Sequence, residues 1–198
     1  MQLGTISTND NPHPRLAFRV GKNHALDVQA ASEITDIGTP ISGSLKRYIE
    51  NQDAEREAAK RLVAWAERLS GDEAGKILLN VQEVRFHPPV PDPAKFLCVG
   101  KNYAAHLDEL ARTKLINELP DEPTGFIKLN EVLRGHGSTV ARPDGIMDFD
   151  YEPEAVFVIG KPAYRVSRED ALDHVFGMTM FNDLTAREIQ KKEVRSGT

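Results

Sequence analysis

A single cysteine, Cys98, stands in a chain of 198 residues. No intrachain disulfide can form, which points to a reducing compartment, the cytoplasm. Tryptophan is as scarce, at one residue, and aromatic residues make up only 7%. Basic residues hold no excess: 25 Lys and Arg face 30 Asp and Glu, a formal net charge of −5. That balance, with no pattern of basic residues interleaved with aromatics, excludes a nucleic-acid groove. No apolar run approaches the roughly 18–20 residues of a membrane span, so no membrane partner is expected. The opening MQLGTISTND has no basic stretch followed by an apolar one, and a secretory signal is not expected. Gly135-His136-Gly137 is followed by no Gly-Lys-Ser/Thr and is not a phosphate loop.

What remains is an ordinary globular mix, 40% hydrophobic and 28% charged, long enough to bury a sizeable core in one or two domains. Residues 1–45 read as short β segments, with RLAFRV (15–20) and HALDV (24–28) forming a hairpin around Gly21-Lys22-Asn23. Segment 45–69 lacks Gly and Pro and predicts one helix, its apolar face carrying Leu62, Val63, Trp65, Ala66 and Leu69. KILLNVQEVRF (76–86) reads as a strand. HPPVPDPAK (87–95), with four prolines in nine residues, reads as an extended linker. It divides a small α+β domain (1–86) from a second domain (96–198).

FLCVG (96–100) is a short buried-strand run, and Asn102 is placed to cap a helix over 103–112. GFIKL (125–129), DYEPEAVFVIG (150–160) and GMTMFND (177–183) read as strands. Ser167 with Asp170 predicts a capped helix over 168–175, and Thr185 with Glu188 a second one over AREIQKKEV. Strands mixed with short helices, without a βαβ rhythm, indicate the α+β class.

The most pointed feature is Tyr151-Glu152-Pro153-Glu154. Residues i and i+2 of a strand share a face, so Glu152 and Glu154 project together with Val156 and Val158. The pair is either a solvated edge or a pair of cation ligands, since two buried carboxylates without a cation repel each other. Asp183 ends another strand. Three carboxylates without His or Cys form a hard-oxygen set suited to Mg²⁺, Mn²⁺ or Ca²⁺. His106 and Glu109, at i and i+3 of a helix, are neighbours; they are an exposed pair, or an imidazole oriented to take a proton from water. Lys128 in GFIKL either snorkels at an edge or reaches an anionic substrate. Cys98 reads as a small buried hydrophobe, and His136 as loop polarity or part of a site cover.

The order of four blocks, FLCVGKNYAAH (96–106), GFIKL, DYEPEAVFVIGK (150–161) and FNDLTAREIQ (181–190), resembles the fumarylacetoacetate hydrolase family. The resemblance covers about 94–198 and implies a mixed β-roll assembled as a homodimer. It implies that Glu152, Glu154 and Asp183 bind Mg²⁺ or Mn²⁺, that His106 with Glu109 activates water, and that Lys128 lies near the substrate. It implies small 2-oxo or 2,4-dioxo acids as substrates and a hydrolase cleaving a C–C bond; an isomerase or decarboxylase of aromatic catabolism is the alternative. Leu129 stands where the family has proline. The family also continues past the point matching Thr198 through a stretch with another active-site lysine. The chain is therefore expected to be a piece of a longer protein, an inactive truncated relative being the other reading.

Overall fold

The structure, a computed structural model, describes residues 1–100, 102, 103, 122 and 124–196, with backbone only over 194–196. Strands β1 (Leu3–Ser7), β2 (Arg15–Val20), β3 (His24–Asp27), β4 (Leu78–Asn80) and β5 (Arg85–Phe86) form an antiparallel sheet in the order β4-β3-β2-β1-β5. The hairpin expected over 15–28 is β2–β3, with Val20 opposite His24. Its second strand stops at Asp27 because that carboxylate caps α1 (Val28–Ile34), accepting from Ala30 N at 3.2 Å. The other oxygen of Asp27 accepts from Arg15 Nε at 2.6 Å, a pair buried to 7% and 6% side-chain exposure.

The single helix expected over 45–69 is two. Helix α2 (Leu45–Glu50) and α3 (Gln52–Ala66) break at Asn51, whose φ of −104° and ψ of 12° leave the helical region. Helix α3 buries Gln52, Glu55, Ala58, Ala59, Leu62 and Ala66, spaced three and four apart as one face requires. Trp65, Val63 and Leu69 flank this face half-buried. Glu55 enters the interior because its carboxylate accepts from Ser42 N at 2.8 Å and Ser42 Oγ at 2.7 Å. The strand expected over 76–86 is instead the end of α4 (Gly71–Ile77), β4, a turn and β5. Asn80 makes the turn: its side chain accepts from Gln82 N at 3.0 Å and its carbonyl from Glu83 N at 2.9 Å. The core gathers Leu16, Phe18, Leu26, Leu62 and Ile77 around Tyr48, all at most 1% exposed.

The proline-rich stretch 87–95 is fastened to its surroundings. His87 N donates to Thr5 O at 2.9 Å, Thr5 Oγ1 to Pro89 O at 2.6 Å, and Lys46 Nζ pairs with Asp92 at 2.9 Å.

The second half is built from antiparallel pairs: β6 (Leu97–Gly100) with β7 (Thr124–Ile127), β9 (Pro153–Ile159) with β10 (Val175–Asn182), and β8 (Phe149–Asp150) with β11 (Thr185–Ala186). Helix α5 (Arg187–Ser196) follows β11. The strand expected over 150–160 is thus interrupted at Tyr151-Glu152. The helix expected over 168–175 is a 3-10 turn, Ala171–His174. The Ser167–Asp170 bonds expected there do form, at 2.9 and 3.2 Å, but support only that short turn. Helices and antiparallel sheets in separate runs confirm the α+β class.

The two halves share packing. Val158 and Phe176 lie against the first core, and the Phe176 ring meets Tyr48 edge-on at 6.2 Å between centroids. Gln52 Nε2 donates to Gly160 O at 2.9 Å, and a Cβ on Gly160 would lie 2.7 Å from that of Phe176. Gly135 comes closer still: a Cβ there would sit 1.9 Å from Phe86 O. With His136 edge-on to Phe86 at 6.1 Å, the Gly-His-Gly loop is docked at the start of the proline stretch. Outward, β6–β7 presents Leu97, Val99 and Ile127, and β9–β10 presents Phe157, Ile159, Met178 and Met180, all more than half exposed. Among the described residues no helix is long and apolar enough to cross a membrane.

Candidate metal centre

Strand alternation builds the site. Along β9 and the residues entering it, exposure alternates, with Glu152, Glu154, Val156 and Val158 on the inner face. On β10, Phe181 lies opposite Glu154 and Asn182 opposite Pro153. The ladder then ends with Asp183 N donating to Glu152 O at 2.7 Å. Phe181 and Asp183 are two apart, so Asp183 joins both glutamates on one side. Asn182, on the other side, uses its Oδ1 to accept from Glu152 N at 3.0 Å.

The β6–β7 hairpin supplies the opposing residues. Lys128, just past β7, donates its backbone N–H to Phe96 O at 3.1 Å, and its Nζ lies 2.5 Å from Asp183 Oδ1. Asp183 is 7% exposed, a burial a carboxylate tolerates only when paired. Lys128 Nζ is also 5.5 and 5.9 Å from the ring centres of Phe126 and Phe181. Phe96 packs on Phe181 at 5.2 Å. Cys98 is half-buried beside the carboxylates. Burial, then the negative charges of Asp183 and Glu154, push its thiol up, with Lys128 opposing. The small buried hydrophobe expected at Cys98 is only partly buried.

The glutamates have partners of their own. Tyr103 donates its hydroxyl to Glu154 Oε2 at 2.8 Å, and that hydrogen bond holds the phenol above its ordinary pKa. Thr185 donates Oγ1 to Glu152 Oε2 at 3.1 Å. Arg187 bridges Glu152 at 2.5 Å and Asp150 at 2.7 Å. Burial alone would lower the Arg187 pKa; its bonds to Asp150 and Glu152 outweigh that and raise it, while Arg187 holds Asp150 below the usual carboxylate range. Thr185 was expected to cap the last helix with Glu188. It lies instead in β11, and the Glu188 carboxylate accepts from Met147 N and Asp148 N, both at 2.9 Å. The cap fails because the chain pairs with β8 for two residues before turning helical.

The structure thus brings Glu152, Glu154, Asp183 and Lys128 into one neighbourhood. His106 and Glu109, and the helix expected over 103–112, lie outside the described residues. No three His, Cys, Asp or Glu side chains among the described residues close on one point; each carboxylate is turned to a cation or hydroxyl. The donor set still fits a divalent ion: three hard-oxygen groups share one face, and side-chain cations stand where positive charge is required. Sequence reading missed Tyr103, Thr185 and Arg187 as ligands of these carboxylates. A signal was present only for Tyr103, which lies in the KNYAAH block; Arg187, on the first turn of the helix after Asp183, is brought to them by the fold alone.

Residues 95–197 match the family described as fumarylacetoacetate (FAA) hydrolase C-terminal, and the chain belongs to that family. Oxaloacetate tautomerase YisK of Bacillus subtilis is 38% identical over 169 residues, covering 84% of this chain and 55% of that protein. The homoprotocatechuate catabolism bifunctional isomerase/decarboxylase of Escherichia coli is 30% identical over 186 residues, covering 77% of this chain and 42% of that one. The solved maleylpyruvate hydrolase of Sphingobium sp. SYK-6, in complex with manganese(II) ion and pyruvate, superposes with a TM-score of 0.67 at 23% identity. It covers 94% of this chain and 60% of its own. The chain spans about half the length of the curated relatives it matches.

Proposed function

We propose that this chain is the metal-binding part of a divalent-metal-dependent enzyme that acts on a small 2-oxo acid through its enolate. The observation that carries the reading is the one-sided acidic face, with Glu152, Glu154 and Asp183 projecting together from β9–β10 beside Lys128. These three carboxylates would hold Mg²⁺ or Mn²⁺. When bound, the ion supplies Lewis-acid stabilisation of developing enolate charge. Lys128 offers an ammonium to the substrate carboxylate, with the ring of Phe181, packed on Phe96, 5.9 Å from its Nζ.

Two outcomes share this half-reaction. In a hydrolase, His106 oriented by Glu109 takes a proton from water, the water oxygen attacks the distal carbonyl of a 2,4-dioxo acid, and the C–C bond breaks toward the enolate. In a tautomerase, isomerase or decarboxylase no water attacks, and the enolate is protonated or formed by loss of CO₂. The 38% identity to an oxaloacetate tautomerase favours the second outcome; the His106–Glu109 spacing favours the first.

Titration calorimetry of Mn²⁺ with oxalate as enolate mimic, comparing wild type with Glu154→Gln, tests the shared reading. Binding that tightens with oxalate and is lost in Glu154→Gln is expected; binding indifferent to Glu154 overturns it. Product analysis on oxaloacetate and on an acylpyruvate separates the outcomes. His106→Ala should abolish acylpyruvate cleavage, and retained cleavage would refute its role as base.

A further inference from the structure

Two of the three carboxylates of the acidic face are already paired with a cation from within the chain. Asp183 carries Lys128 at 2.5 Å, and Glu152 carries Arg187 at 2.5 Å. Two side-chain cations thus stand against a cluster that would otherwise take up a doubly charged ion. If both stayed in place when such an ion entered, Asp183 and Glu152 would have to meet it while each was still paired with a side-chain cation, in a partly buried space. Lys128 and Arg187 would repel the ion at close range, where screening by water is weak.

Each cation also has somewhere to go. Arg187 keeps Asp150, which it holds through Nε at 2.9 Å and Nη2 at 2.7 Å, independently of Glu152. Lys128 has the faces of Phe126 and Phe181 within 6 Å, a secondary resting place for an ammonium. Glu154 has only a neutral partner, the Tyr103 hydroxyl, and remains available without any exchange of charge.

We infer that Lys128 and Arg187 are resident counter-ions that release Asp183 and Glu152 to the divalent ion. On this exchange Arg187 falls back on Asp150, and Lys128 becomes a free ammonium facing the site, where it receives the anionic group of the substrate. The inference rests on the metal-binding reading above and gives Lys128 two sequential partners, an aspartate before loading and an anionic ligand after it.

The test is calorimetric titration of Mn²⁺ alone into wild type, Lys128→Gln and Arg187→Gln. It is paired with acylation of lysines by an amine-reactive reagent, read by mass spectrometry with and without saturating Mn²⁺. Each substitution should tighten Mn²⁺ about tenfold, the equivalent of relieving one modest charge competition. Mn²⁺ should raise acylation of Lys128 severalfold while leaving exposed Lys161 unchanged. Affinity unchanged or weakened in both variants overturns the exchange. Tightening with unchanged Lys128 acylation also overturns it, since a lysine that stays on Asp183 acts by repulsion alone. Wild type that binds no Mn²⁺, or binds it as well after Glu154→Gln, is a different failure: it removes the metal centre itself.

Discussion

Replacing Asp183 with Asn should destabilise the metal-free protein, and the size of the loss follows from the pair it breaks. Lys128 Nζ and Asp183 Oδ1 are 2.5 Å apart, with side-chain exposures of 20% and 9%. At an effective dielectric of about 20 their gross attraction is about 6–7 kcal/mol. Desolvation of both ions cancels much of that, so the informative quantity is the cost of leaving one ion buried alone, about 3–5 kcal/mol. Lys128 retains some access to water and two aromatic faces, which places the loss at the low end, about 3 kcal/mol. For a chain of this length that is a fall in Tm of about 6–12 °C. The backbone bonds at Asp183, to Glu152 O and from Thr185 Oγ1, survive the change, so the loss belongs to the pair. Adding Lys128→Met to Asp183→Asn should recover most of it, because the orphaned charge is gone. Urea unfolding of both single variants and the double variant in EDTA measures the cycle. A single variant as stable as wild type, or a double variant whose losses simply add, would refute the reasoning.

Asp27→Ala removes both the Arg15 partner and the cap of α1, and should cost about 3–5 kcal/mol for the orphaned guanidinium plus about 1 kcal/mol for the cap; Asp27→Asn should recover only the cap share in urea unfolding. Gly135→Ala forces a Cβ into the Phe86 carbonyl and should lower stability by about 1–3 kcal/mol or more, read as a Tm shift. His87 is held below its ordinary pKa by burial and by Arg85, and its Nε2 shares a hydrogen bond with Ser7 Oγ at 2.8 Å. The folded state therefore disfavours the protonated ring: its contribution is full above the ordinary histidine pKa of about 6.5 and is lost as pH falls through the lower folded value. Between pH 7.5 and 5, wild type should lose more stability than His87→Gln; equal losses would refute this.

The acidic face was legible because strand alternation is a local rule. Glu152 and Glu154 at i and i+2 had to share a side whatever their partners, and Asp183 at the end of GMTMFND needed only one antiparallel pairing to join them. The hairpin 15–27 was legible for the same reason. What failed were readings in which long-range contacts compete with local propensity. The break at Asn51 frees Gln52 to reach Gly160, 108 residues away. Thr185 carries a capping residue's chemistry but spends it on Glu152, 33 residues back. No spacing rule assigns Arg187 to Asp150 and Glu152, because that pairing exists only once β11 lies on β8. The proline-rich stretch was legible as non-helical but not as fastened, since its anchors Thr5 and Lys46 lie on distant elements.

The ring of Phe176 beside Tyr48, with Val158 next to it, has a practical consequence for dissecting or recombining this chain. A cut within the proline stretch looks natural, yet a fragment ending there would carry an open notch beside Tyr48, and a transplanted β9–β10 would arrive with Phe176 bare. A chimera joined at that point keeps its interior filled only if the incoming half offers an aromatic ring and a branched aliphatic side chain at these two places. The seam that matters for exchange of parts is therefore the Tyr48–Phe176 contact, whose two rings come from either side of the stretch the prolines mark.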